Sequence, residues 1–183
     1  MGISKRTLAT VFAAGVAALA LAVGAIGAAA SNGHDDKGKS KHGKKHAKRH
    51  TDLINASLAG SQVGDPVFHG VSPGGAPWVL KRGQVEVQKR GRLDLAVKGL
   101  VIPGAPGNGT PGPVTTISAS LYCGADANTT AADTSKSVPI SRKGNATIHD
   151  RSFTVPGTCL APVVLVHPNG AATTYIALDG QRP

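Results

Sequence analysis

The sequence has 183 residues, a formal net charge of +10 at neutral pH and few aromatic residues: three Phe, two Tyr and one Trp. This length suits one domain of ordinary size. The scarcity of aromatic side chains argues against stacking platforms for sugars or single-stranded nucleic acid, because such platforms depend on aromatic faces. We therefore expect no specific nucleic-acid ligand.

The first thirty residues have the pattern of a secretory signal peptide. Lys5 and Arg6 form a short positive start, residues 8–26 are uncharged and rich in Ala, Val and Leu, and an Ala-Ala-Ala motif precedes Ser31. This is the order of charge, apolar stretch and small-residue cleavage site in export signals. An uncleaved membrane anchor is the alternative, since the stretch is long enough to span a bilayer. We expect a signal helix that is removed, so that the mature protein has no transmembrane domain.

A basic, histidine-rich segment follows, over residues 31–51. It carries seven Lys or Arg against two Asp, a net charge of +5, and almost no apolar residue. It cannot bury enough surface to offset its ordering entropy, so we expect a disordered tether. Its charge favours anionic partners outside the cell, such as wall phosphate polymers, anionic lipid surfaces or extracellular nucleic acid. Simple solubility is the alternative role.

Histidines in this tether are candidate metal ligands. They are His34, His42, His46 and His50. The last three recur every four residues, so a transient helix would place three imidazoles on one face, and imidazole suits Zn, Cu or Ni. Cleavage after Ser31 instead of Ala30 would also create an N-terminal Asn-Gly-His chelate for Cu(II) or Ni(II). The interleaved lysines repel cations, so a solvated basic tail is the alternative, and no other cofactor is expected.

The two cysteines, Cys123 and Cys159, fall in the rest of the chain, residues 52–183. An even count in an exported chain predicts a disulfide, with two buried free thiols as the alternative. Cys123 ends one predicted strand and Cys159 precedes another. We therefore expect their Cα atoms to lie within about 7 Å of each other.

From residue 52 onward the hydrophobic pattern is that of β-strands. Apolar and polar residues alternate over 84–88, 92–98 and 116–123, which predicts half-buried strands. Lys89-Arg90-Gly91 predicts a hairpin turn between the first two, because Gly readily adopts a positive φ. The run Pro103–Pro113 is a loop by composition.

Two further turns are predicted in the C-terminal part. Lys143-Gly144-Asn145 predicts a hairpin between residues 138–142 and 146–153, and Asn169-Gly170, the strongest turn signal, joins 163–167 to 173–178. The continuously apolar run Val163–Val166 predicts a central strand that is buried on both faces.

These signals predict an all-β domain over residues 52–183. We expect a single β-sandwich, immunoglobulin-like or related, of about seven to nine strands, with a closed barrel as the alternative. No segment after residue 52 shows helical periodicity.

Four motifs support a resemblance. They are Gly74–Trp78, Val101–Gly104, Pro113–Cys123 and Cys159–Gly170. In these stretches the chain resembles a family of uncharacterised secreted proteins of actinobacteria. The resemblance implies export and a small β domain with a cysteine pair. It carries no known activity and therefore assigns no site residue.

Two motifs typical of catalysis or nucleotide binding occur in the sequence, but each lacks the context that its function requires. Gly70–Gly74 matches G-x-S-x-G, but Pro73 has no N–H for an oxyanion hole and no helix follows. Residues 107–112 match G-x-G-x-x-G but lead into a β pattern, not into the helix that nucleotide binding needs. His149 and its neighbour Asp150 should point to opposite faces of a strand. We interpret His149 and His167 as surface or turn histidines.

The sequence thus favours a secreted, non-enzymatic module of the cell envelope or extracellular space, with a binding or structural role. A secreted protein that binds metal through the tether histidines is the alternative. A hydrolase is a third hypothesis.

Overall fold

The computed structural model of the protein describes residues 51–127 and 130–182, and this part of the chain is all-β. The signal segment and almost all of the tether lie outside the described residues. Where the chain is described, no helix is long and apolar enough to cross a membrane.

Eleven strands are present in the described part. They are β1 (Asp52–Gly60), β2 (Ser72–Pro73), β3 (Arg82–Gln88), β4 (Arg92–Lys98), β5 (Thr116–Tyr122), β6 (Asp133–Thr134), β7 (Val138–Pro139), β8 (Ala146–Asp150), β9 (Val163–Pro168), β10 (Thr174–Tyr175) and β11 (Ala177–Asp179). Four of them, β2, β6, β7 and β10, have only two residues. The seven longer strands agree with the predicted number.

Nine strands form one antiparallel sheet in the order β6-β5-β9-β11-β1-β3-β4-β8, with β7 also paired to β5. Strand β1 makes the corner, because residues 52–57 pair with β3 whereas residues 58–60 pair with β11. The sheet therefore curls into two facing halves. Half A contains β3, β4, β8 and the start of β1; half B contains β5, β6, β7, β9, β11 and the end of β1. Strands β10 and β2 form a separate parallel pair.

The inward faces of the two halves pack against each other and form the main core. Val85, Leu93 and Leu95 from half A meet Ile117 and Val164 from half B, and all five are buried. This two-layer packing is sandwich-like and confirms the predicted fold class. Within the described residues, β4 is the only strand that pairs with β8, so the sheet does not close into a barrel.

Strands β5 and β9 are buried on their outward side as well. Tyr122 and Leu165 pack there with Val71 and Tyr175, which come from the segments around β2 and β10. The hydroxyl of Tyr175 donates to the carbonyl oxygen of Pro66 at 2.8 Å, and this hydrogen bond links β10 to the segment before β2. The prediction of a central strand buried on both faces is confirmed.

One of the three predicted hairpins is confirmed, and a second is confirmed in part. Gly91, with φ of 84°, closes the β3–β4 hairpin. Asn169 and Gly170, both with positive φ, bring the chain back from β9 so that β11 pairs with it, but the predicted strand over 173–178 is divided, because β10 pairs with β2. Positive φ at both central residues is the geometry of a type I′ turn, which suits the twist of paired strands.

The third prediction, a hairpin at residues 143–145, is wrong. A turn is present, since Gly144 has φ of 72° and donates its N–H to the carbonyl oxygen of Ser141. However, β7 pairs with β5 in half B and β8 pairs with β4 in half A. The turn therefore carries the chain from one half of the sandwich to the other.

Cys123 and Cys159 form a disulfide, with their Cα atoms 4.9 Å apart. The bond joins the end of β5 to the segment that leads into β9, and the N–H of Gly124 donates to the carbonyl oxygen of Leu160 beside it. The predicted pairing is confirmed.

Candidate functional site

The outward face of half A is polar and open to solvent. Strand alternation explains this, because residues that follow the buried valines and leucines point the other way. The strand register arranges these outward residues in rows across the four strands. One row contains the ionisable groups of Glu86, Asp94 and His149.

Asp94 is the centre of that row. One of its oxygens lies 2.7 Å from Nδ1 of His149, and the other forms an ion pair with Arg92. Burial disfavours ionisation of Asp94, but hydrogen bonds from Arg92 and His149 outweigh this effect, and the pKa of Asp94 is lowered. With 69% of its side chain exposed, His149 is a surface histidine as predicted. Its carboxylate partner is a residue of β4, not the adjacent Asp150.

The sequence does not reveal this pair. His149 and Asp94 are 55 residues apart, and they meet only because β4 and β8 are neighbours in that register. The alternation of apolar and polar residues places Asp94 and His149 on the outward faces of their strands. Only the pairing of β4 with β8 then brings the two side chains together.

The interpretation of His167 as a surface or turn histidine is wrong. Its side chain is only 1% exposed, on the outward side of β9. Nδ1 lies 2.8 Å from the carbonyl oxygen of Thr174, whereas Nε2 has no hydrogen-bond partner among the described residues. Burial lowers the pKa of His167, because the protonated ring is disfavoured where water is excluded. The error arises because residues after the Asn169-Gly170 turn cover the strand end, which its local sequence does not indicate.

A cleft of about 540 Å³ lies on the outward side of half B. The ring of His69 stacks on Tyr122 with centroids 5.0 Å apart, and the hydroxyls of Ser120 and Thr134 are 2.7 Å from each other. Asp133 also lines the cleft, but its oxygens accept N–H bonds from the backbone. These groups suit hydrogen bonding to a polar ligand, and Asp133 is already engaged within the fold.

The G-x-S-x-G and G-x-G-x-x-G matches also lack, in the structure, the helix that each motif requires. Ser72 and Pro73 of the G-x-S-x-G match lie in β2, which pairs with β10. Residues 107–112 of the G-x-G-x-x-G match lie in a loop of turns closed by a bridge between Ile102 and Thr110. Neither motif leads into a helix.

Positive and negative side chains are distributed unequally in the domain. Every Lys and Arg from residue 52 onward is exposed, and these are Lys81, Arg82, Lys89, Arg90, Arg92, Lys98, Lys136, Arg142, Lys143, Arg151 and Arg182. The carboxylates are half-buried, apart from Asp126. Asp65, Asp150 and Asp179 accept N–H bonds from the backbone, as Asp133 does. The cations of the domain are therefore exposed, whereas several of its carboxylates are occupied by hydrogen bonds within the fold.

Most of these cations are also unpaired. Among the described residues, Arg92 pairs with Asp94 and Arg182 pairs with Asp65, and the other lysines and arginines form no salt bridge. The unpaired cations are therefore available to anions from outside the protein.

Five of the unpaired cations gather at one end of half A. Lys81 precedes β3 and Arg82 begins it, Lys98 ends β4, and Arg142 and Lys143 lie in the turn before β8. The N–H of Lys81 donates to the carbonyl oxygen of Lys98, and the N–H of Leu100 donates to that of Gly144. Backbone hydrogen bonds thus hold the three segments together. We call these five residues the basic end.

The candidate metal ligands His34, His42, His46 and His50 lie outside the described residues. Metal binding by the tether therefore stays a prediction. Within the part of the chain that the structure describes, no group of three or more His, Cys, Asp or Glu residues is placed to hold a metal ion.

Comparisons with models of known families, with curated proteins and with solved structures find no match. The resemblance to secreted actinobacterial proteins accordingly stays a prediction. What the fold and surface define is a class: a disulfide-bonded, sandwich-like all-β domain with an outward-facing set of cations.

Proposed function

We propose that this protein is an exported, non-enzymatic module that binds anionic polymers or surfaces of the cell envelope or extracellular space. One observation carries the proposal: the lysines and arginines of the described domain are all exposed, whereas most carboxylates are half-buried and engaged within the fold. A protein with such a surface attracts polyanions, because each Lys or Arg that contacts one releases bound counterions.

The preceding segment strengthens this charge. Residues 31–51 add seven cations, and they join the domain at Thr51, whose carbonyl oxygen accepts the N–H of Lys89 at 2.8 Å. Two basic parts in one chain can bind the same polymer together, so that the second contact forms at a high effective concentration.

Export is supported by two independent features. The N-terminal pattern is that of a secretory signal. The Cys123–Cys159 disulfide suits an oxidising compartment, where such bonds form and persist.

The test measures binding of the mature protein to inorganic polyphosphate as a function of salt. In the first variant, the seven Lys and Arg residues from Lys37 to Arg49 are changed to Gln. We expect its affinity at low salt to fall at least about tenfold and the slope of log K against log salt to become shallower.

The matched control changes His34, His42, His46 and His50 to Gln and keeps every lysine. It should bind polyphosphate as the parent does at neutral pH, because neutral imidazoles contribute little to counterion release. An unchanged affinity and slope in the seven-Gln variant would contradict the role proposed for the tether.

A further inference from the structure

We infer that the basic end is a second anion site, separate from the tether, which binds successive phosphate groups of a linear phosphate polymer. It consists of Lys81, Arg82, Lys98, Arg142 and Lys143. The inference extends the proposed function to a particular surface of the folded domain, and it does not require the tether to bind.

The strand register supplies the first argument. Arg82 and Lys98 are direct cross-strand partners, which places two like charges opposite each other on the outward face. Such a pair destabilises a sheet when nothing neutralises it. Neither residue has a salt-bridge partner among the described residues. A bound anion would remove this repulsion.

The neighbouring rows of side chains supply the second argument. The row next to Arg82 and Lys98 contains no charged residue; it consists of Ser57, Gln84, Ala96 and Thr147. Glu86 and Asp94 stand one row further along the sheet. A full uncharged row therefore separates the basic end from the carboxylates of that face.

The opposite end of half A provides a contrast within the same molecule. It also bears exposed cations, among them Lys89, Arg90 and Arg151. There, however, carboxylates lie at the same end of the strands as the cations, because Asp52 begins β1 and Asp150 ends β8 at that end. A given number of cations should therefore bind a polyanion more strongly at the basic end than at the opposite end.

The arrangement of the cations favours a linear polymer. They come from β3, from β4 and from the turn before β8, which are successive across the sheet. At a strand spacing of about 4.8 Å, this row extends over roughly 10 Å, enough for two or more consecutive phosphates. Arg142 also lines a cleft of about 370 Å³ with Thr110 and Thr115, which gives room for the polar groups between phosphates.

Single-stranded nucleic acid is a poorer fit. Proteins that bind it without sequence preference stack bases on aromatic side chains. In the described residues, Trp78, Tyr122, Phe153 and Tyr175 are buried and Phe68 is half-buried. The basic end therefore has charge without a stacking surface.

The experiment compares two variants of the complete mature protein that lose the same charge. The basic-end variant carries Arg82→Gln, Lys98→Gln, Arg142→Gln and Lys143→Gln. The control variant carries Lys89→Gln, Arg90→Gln, Lys136→Gln and Arg151→Gln. Binding to inorganic polyphosphate is measured over a range of salt concentrations, with the intact tether and again with the seven-Gln tether.

We expect the basic-end variant to bind at least about tenfold more weakly at low salt, with the slope of log K against log salt reduced by about 2 to 3, and the control variant to lose much less. The difference should persist with the seven-Gln tether, so the result is independent of the tether test. Equal losses in the two variants would overturn the inference, since only total charge would then matter.

Two additional measurements keep the result interpretable. Arg82→Gln alone should leave the melting temperature unchanged or raise it, because it relieves a like-charge pair. A lower melting temperature would contradict the repulsion argument. Anionic phospholipid vesicles that bound the basic end more tightly per phosphate than polyphosphate would overturn the assignment to a linear polymer. Single-stranded DNA that did so would overturn the argument that a stacking surface is missing.

Discussion

His167 is a buried histidine, and its burial disfavours the protonated form of the ring. Its ring is buried, Nδ1 lies 2.8 Å from the carbonyl oxygen of Thr174, and Nε2 has no hydrogen-bond partner among the described residues. Because burial lowers the pKa of His167, the folded state takes up a proton less readily than the unfolded chain. The residue should therefore make the fold sensitive to mild acid.

We predict that the free energy of unfolding decreases as the pH falls below about 6.5, the pKa of histidine in an unfolded chain. Below that pH the unfolded state binds more protons than the folded state, and the loss continues until the buried ring is also protonated. His167→Gln should reduce this dependence between about pH 7 and pH 5. Urea denaturation at several pH values measures it.

His69→Gln is the control for this experiment, because the ring nitrogen of His69 contacts the backbone carbonyl oxygen of Asp126 and no carboxylate pairs with it among the described residues. It should keep the dependence on pH that the parent shows. A His167→Gln protein whose stability depends on pH as steeply as that of the parent would show that the buried ring is not responsible.

At the scale of the elements, the turn at residues 143–145 connects the two halves of the sandwich. Gly144 has φ of 72°, and a Cβ at this position would lie 2.4 Å from the carbonyl oxygen of Leu100. The close approach accompanies the hydrogen bond from the N–H of Leu100 to the carbonyl oxygen of Gly144. Both the backbone conformation and the available space therefore require glycine.

We predict that Gly144→Ala lowers the free energy of unfolding by more than about 3 kcal/mol, from a left-handed backbone and a backbone clash together. Gly109→Ala is the matched control, because Gly109 has φ of 82° and nothing within 4 Å of an added Cβ. It should cost only about 1–2 kcal/mol. Equal costs in chemical denaturation would show that the contact with Leu100 is unimportant.

The disulfide is the second connection at this scale. It closes a loop of 36 residues that contains β6, β7 and β8. In the chain-entropy model, closing such a loop stabilises a fold by roughly 3–4 kcal/mol.

We predict that changing both Cys123 and Cys159 to Ala lowers the stability by about that amount. The double variant should be insensitive to a reducing agent, whereas the parent protein should lose a similar amount when it is reduced. Secreted protein with two free thiols by intact-mass analysis would contradict the account of this bond.

The local sequence predicted the positions of strands and turns better than it predicted which strands pair with each other. The alternation over 84–98 and the Gly91 turn are local features, and the β3–β4 hairpin follows from them directly. The turn at Asn169-Gly170 and the buried run Val163–Val166 were predictable for the same reason. Pairing between distant segments is set by packing of the whole chain, which a local pattern does not contain.

Three features show this limit. The role of β1 as the corner between the halves depends on its pairing with both β3 and β11. The meeting of Asp94 and His149 depends on the β4–β8 register, and the burial of His167 depends on a segment that folds back over β9. The lysines and arginines of the basic end are visible in the sequence, but their assembly at one end of half A is not.

At the scale of the whole molecule, charge is the dominant surface property. The chain has twenty Lys and Arg against ten Asp and Glu. In the described domain the cations are exposed and most of the carboxylates are half-buried. The proposal that the protein binds anionic envelope polymers follows from this arrangement, and it makes attachment an electrostatic property that salt should reverse.

The most direct measurement is the salt dependence of attachment to isolated envelopes of the cells that produce the protein. The mature protein is mixed with the envelopes, sedimented, and washed with increasing concentrations of sodium chloride. We expect it to sediment at about 50 mM salt and to be released progressively by a few hundred millimolar, because screening and counterion release both weaken contacts with polyanions. Protein that fails to sediment at low salt, or that stays bound at high salt, would contradict the account.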